Sequence, residues 1–130
     1  MKNINKVTIL ISALLISLII NTSAQNSCVD TYARTYKNYR RGQFESTNNS
    51  LRDCVREFQQ KKTDYLRNRN GKDSRLVFKV YKLIITSYEQ INQQSAANAT
   101  RRQLTEYFKT VFTPNQVNVK YNQTNLEPLR

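Results

Sequence analysis

Cysteine thiols can pair oxidatively, hold a metal or act as nucleophiles, and this 130-residue sequence has two, Cys28 and Cys54. Metal binding is poorly supported, because two cysteines without any histidine make half a zinc site. The pair is not a CxxC, so redox-motif spacing is missing as well. A disulfide is the expected use. Closing a loop of this size stabilises a fold by ~3 kcal/mol on the chain-entropy account. An intermolecular bridge is the rival arrangement, since sequence does not fix pairing.

Other catalytic chemistry is thin. The absence of histidine removes the commonest general base. No two carboxylates stand at a spacing that marks them as an acid–base pair. GxSxG, HExxH and phosphate-loop patterns are missing, and Gly42 and Gly71 are the only glycines. The expectation is a protein that is not an enzyme and needs no cofactor or metal.

Charge is the stronger functional signal. Twenty-one Lys and Arg face nine Asp and Glu, for a formal net charge of +12. Arg34, Lys37, Arg40 and Arg41 cluster early, and Arg52 and Arg56 follow. A bridge between Cys28 and Cys54 would gather these six into one anion-binding patch. A second run holds Lys61, Lys62, Arg67, Arg69, Lys72 and Arg75. Such surfaces attract polyanions, anionic membranes and acidic proteins. The bland alternative is a solvated face that only maintains solubility. Arg40-Arg41, Lys61-Lys62 and Arg101-Arg102 could also be dibasic processing sites, but ordinary surface charge is the preferred reading.

Residues 1–24 read as a secretory signal peptide. Lys2 and Lys6 precede an uncharged Ile- and Leu-rich run, and Thr22-Ser23-Ala24 supplies small residues before a cut at Ala24–Gln25. The run is shorter than the ~20 residues of a spanning helix. Losing the leader takes Lys2 and Lys6, leaving +10. A secreted, extracellular protein is therefore expected, without a transmembrane segment after cleavage and without a physiological nucleic-acid partner. Asn48, Asn98 and Asn122 each begin an N-glycosylation sequon.

The elements that must hold these residues read as all-α: a small bundle of three to four helices, one disulfide and an irregular C-terminal tail. Residues 25–113 form the helical domain and 114–130 the tail. The organising stretch is 76–91, LVFKVYKLIITSYEQI, whose apolar residues recur at helical spacing. A strand is the rival reading, but the periodicity runs too long for one. A tyrosine stripe, Tyr32, Tyr36 and Tyr39, predicts a helix over 29–40. Leu51, Val55, Phe58 and Tyr65 predict another over 51–69. A third covers 74–94. Leu104, Tyr107, Phe108 and Val111 mark a fourth, stopped at Thr113-Pro114.

Capping boxes are expected at Ser50 and Thr100, with loops over 43–49 and 95–99. The cysteines strain this layout. Twenty-six helical residues span ~39 Å, whereas a disulfide needs Cα atoms within ~7 Å. The chain must reverse near Arg41-Gly42, so the second helix begins before Ser50 or the loop runs back along the first.

The function expected from all this is binding rather than catalysis, by a basic secreted monomeric glycoprotein with an anionic extracellular partner. Candidates are a glycosaminoglycan, an anionic surface or an acidic protein. The alternatives are a carrier of a small hydrophobic ligand, held between 76–91 and the tyrosine stripes, and a cationic membrane-active defence protein.

Overall fold

The computed structural model describes residues 28–129, and the expected leader and its cleavage site lie outside them. The described chain is all-helical, with one disulfide. It contains α1 (28–40), α2 (Phe44–Gln60), the short α3 (Lys62–Leu66), α4 (Lys72–Gln90), α5 (Gln94–Tyr107) and α6 (Pro114–Gln123).

Helix α4 is the centre. Val77, Val80, Leu83 and Ile85 are wholly buried, and Leu76, Phe78, Tyr81 and Ile84 nearly so. Its main partners are α2 and α5, with α3 and α6 also against it. A helix enclosed on several sides needs apolar residues around most of its circumference, which is why its pattern is so wide. From α1 and α2, Tyr32, Leu51 and Phe58 join the same core. Tyr36 and Tyr39 are half-buried, their rings following Tyr32 at centroid spacings of 6.4 Å.

The reversal required by the cysteines falls at Gly42. The Gln43 N–H donates to the Asn38 carbonyl at 3.0 Å and the Gly42 N–H to the Tyr39 carbonyl at 2.9 Å. That is a Schellman ending, and Gly42 supplies its left-handed residue with φ of 80°. Cys28 and Cys54 then face each other, Cα atoms 5.5 Å apart, and are disulfide-bonded.

Several expected boundaries are corrected. Residues 43–49 are not a loop, because α2 begins at Phe44 and Ser50 lies inside it. The earlier start aligns the disulfide, and it buries Thr47, whose hydroxyl donates to the Gln43 carbonyl. The second helix is not continuous to 69, since it breaks at Lys61, and α3 adds one further turn. Helix α4 ends at Gln90, earlier than expected, in a second Schellman turn with Asn92 left-handed at φ 56°. Residues 95–99 are helical because α5 starts at Gln94, burying Ala97. Thr100 is therefore no cap, and its hydroxyl donates to the Ala96 carbonyl. A Thr hydroxyl can back-bond inside a helix as readily as it can start one, and Thr100 does so.

The tail is corrected as well. Pro114 begins a helix rather than ending one: α5 already stops at Tyr107, and Pro114 occupies the first turn of α6, capped by Thr113 and Gln116 through reciprocal side-chain bonds. Val117 and Tyr121, four residues apart, are buried, and Val119 is turned outward. Residues 117–121 thus form one helical face plus an exposed valine, where an irregular tail was expected. The described residues carry six helices rather than three to four, and among them residues 124–129 are extended.

Buried tyrosines make the fold sensitive to alkali. Burial pushes the Tyr32, Tyr81 and Tyr107 phenols up, and burial with the Glu57 charge does the same for Tyr65. Tyr107 donates to the Phe58 carbonyl and Tyr65 to the Glu57 carboxylate. The neutral phenol is the form the fold holds. Its contribution is therefore complete below the ordinary value of ~10 and is lost as pH rises toward the folded values. Phenolate absorbance should rise late and together with loss of the helical circular dichroism signal. Full phenol ionisation near pH ~10 with helicity intact would contradict this assignment.

Candidate functional site

The α1–α2 hairpin displays the six cations singled out in the sequence, all of them exposed. The disulfide brings Arg34 and Arg56 to one shallow groove with Lys61, but Asp53 and Glu57 line it too. Arg56 lies 3.3 Å from Asp53, and Lys61 lies 3.6 Å from Glu57. Arg52 turns to Asn49 at 3.4 Å. Arg40 and Arg41 sit at the far end of α1, Arg41 about 20 Å along the helix from Cys28. Lys37 lies between. The hairpin gathers two of the six into a groove of mixed charge. Of the sequon asparagines, Asn98 and Asn122 are exposed on α5 and α6, and Asn48 is half-buried in α2.

A more strongly cationic concavity lies elsewhere. It is a cleft of about 480 Å³ between the first half of α4, the end of α6 and the extended residues after it. Arg69 stands on the turn before α4, Arg75 and Lys79 on α4, and Lys120 on α6. Phe78, Pro128 and Leu129 give the cleft apolar wall. Glu127 is the one carboxylate among its described lining residues, and that carboxylate accepts from the Tyr36 hydroxyl at 3.2 Å.

Two lysines of α4 build this arrangement. Lys79 is only 7 % exposed. Its ammonium donates to the Asn125 carbonyl at 2.8 Å, the Asn125 side chain at 3.0 Å and the Glu127 carbonyl at 2.6 Å. All three protons are therefore used, as a buried ammonium requires. Lys82 donates to the Tyr121 and Thr124 carbonyls at 2.8 and 2.7 Å, placing a cation at the C-terminal end of α6. The Tyr32 hydroxyl adds a bond of 2.7 Å to the Leu126 carbonyl. Residues 124–129 thus form a strap tied to α1 and α4, chiefly through main-chain carbonyls. Burial, joined by repulsion from Arg75, holds the Lys79 ammonium below its ordinary range, and burial alone does so for Lys82.

The other three cations of the cleft are differently placed. Neither Arg69, Arg75 nor Lys120 has a carboxylate within ion-pair distance among the described residues. Lys120 spans the cleft edge to the Asn70 side chain at 3.1 Å and lies over the Phe112 ring. Arg69 and Arg75 leave their guanidinium groups available for a planar anion, which their fork geometry suits. In the sequence Arg69 and Arg75 belong to the second cationic run. No charge cluster in the sequence singles out Lys79 and Lys82, which fall inside the apolar run 76–91. The available signal was a pair of lysines three residues apart inside the buried α4.

Nothing in this arrangement resembles a nucleophile–base pair. It is a concave, partly apolar site with positive charge at its edge, which suits binding of an anion. Among the described residues, no helix is long and apolar enough to cross a membrane. The chain matches no family model, no curated protein and no solved structure.

Proposed function

We propose that this protein is secreted and acts by binding an anionic extracellular partner, with the cationic edge of the α4–α6 cleft as the contact surface. The observation that carries the reading is the convergence of Arg69, Arg75 and Lys120 on one concavity without carboxylate partners among the described residues. The leader over 1–24 and the disulfide support the extracellular setting. A sulfated glycosaminoglycan is the partner class best matched to exposed arginines, through bidentate guanidinium–sulfate contacts of the kind made to phosphate.

Retention on immobilised heparin tests the proposal. The Arg69→Ala/Arg75→Ala variant should elute at clearly lower salt than the Arg101→Ala/Arg102→Ala variant, although each loses the same formal charge. The Arg40→Ala/Arg41→Ala variant should fall between them, since that pair is exposed but not in a concavity. Electrostatic contact of this kind weakens as salt shortens the screening length to ~8 Å at physiological strength. Equal losses for the three pairs would assign retention to net charge alone, and no retention at physiological salt would remove the proposal.

A further inference from the structure

The cleft has two chemically different parts, and polyanion binding at its edge uses only one of them. The cations Arg69, Arg75 and Lys120 form one part of its lining. Inside, Phe78 presents the wall of the buried aromatic cluster in which its ring stacks on Phe108 at 4.5 Å. Pro128 and Leu129 of the strap line the same space, and Leu129 also packs on the hydrophobic core. A volume of about 480 Å³ is within the range of pockets that hold small organic ligands. Residues 124–127 of the strap are held by the Lys79 and Lys82 ammonium groups and the Tyr32 hydroxyl, and Leu129 by its core contact, so the strap is ordered in advance of any ligand.

We infer that the cleft is a binding site for a single-chain amphiphile with an anionic head, such as a fatty-acid carboxylate. The head group lies against Arg69 and Arg75, and the alkyl chain lies between Phe78 and the Pro128–Leu129 end of the strap. Charge selects the head: the lining carries four cations and one carboxylate, and Tyr36 engages that carboxylate on the α1 side. Lys79 is not a head-group ligand, because its protons are spent on the strap. It is a positioning residue that keeps the strap in place. The inference deepens the proposed anion-binding role of the cleft by naming a small ligand, and it rests on the same arginines.

Isothermal titration of the whole secreted protein with decanoate, below its micellar range, is the test. Acetate serves as the head without the chain and decyltrimethylammonium as the chain with the opposite charge. Decanoate should bind one per chain and more than about tenfold tighter than acetate, since each buried methylene is worth roughly fourfold. It should also outbind decyltrimethylammonium. Arg69→Ala/Arg75→Ala should weaken decanoate by about tenfold or more, the scale of a lost charge-assisted hydrogen bond. Leu129→Gln, near the end of the described chain, should weaken decanoate about threefold or more while leaving heparin retention unchanged. Circular dichroism of each variant establishes that its helices are intact.

Equal affinity for acetate and decanoate would overturn the inference, as would equal affinity for decanoate and its cationic counterpart. So would decanoate binding that neither the arginine pair nor Leu129→Gln alters. Decanoate binding without heparin retention would support this inference and remove the polyanion reading. Heparin retention with no decanoate binding would do the reverse.

Discussion

Phe58→Ala is expected to lower the stability of the folded chain by about 3–5 kcal/mol, the range for removing a wholly buried aromatic ring. Phe58 has no solvent exposure and belongs to the hydrophobic core. Its ring meets Tyr65 edge-on at 4.8 Å, and its carbonyl accepts the Tyr107 hydroxyl at 2.9 Å. Truncation therefore opens a cavity among α2, α3 and α5 residues that are held by hydrogen bonds and cannot collapse into it. Domains of this size have a total stability of only about 5–15 kcal/mol, so the loss takes a large fraction. Urea unfolding followed by circular dichroism should show a lower midpoint with an unchanged slope. A shift below about 1 kcal/mol would mean that the Phe58 ring is not part of the core of the fold.

The second large effect concerns Cys28 and Cys54. Replacing both by serine should cost about 3 kcal/mol, from the freedom returned to the unfolded loop. The consequence reaches beyond the hairpin. Helix α1 carries Tyr32 and Tyr36, which bond the strap at Leu126 and Glu127. Loosening α1 should therefore loosen residues 124–129 and raise proteolysis near the C-terminal end of α6 before global unfolding. The untreated protein should show no free thiol when denatured, and reduction should not halve its mass on electrophoresis. A free thiol, a reducible dimer or an unchanged midpoint in the double variant would each contradict the bridge as a structural element. Glycan occupancy at Asn48, Asn98 and Asn122 can be read from the same preparation by mass.

Apolar periodicity is a property of the chain before it folds, and wherever burial dictated it, the helices were legible. The run 76–91 announced α4, because a helix enclosed on several sides must be apolar on several sides. The tyrosine spacing announced α1, and the two cysteines required a reversal at Gly42 that the structure contains. Element ends were less legible. Ser50 and Thr100 have cap-like surroundings, but a local hydroxyl contributes about 1 kcal/mol, and packing of Thr47 and Ala97 outweighed it. Helix α6 was hidden because a single pair, Val117 and Tyr121, fits either period, and only contact with the core chose between them.

The cleft was decided by tertiary structure alone. Its cations come from the turn before α4, from α4 itself and from α6, up to 51 positions apart in the sequence. Composition shows that positive charge is in excess. It cannot show which cations meet, because that depends on where α6 docks and where its strap is tied. Lys79 and Lys82 illustrate the limit most sharply: two charged residues in the most apolar segment become intelligible only when the carbonyls of residues 121–127 arrive to accept their protons.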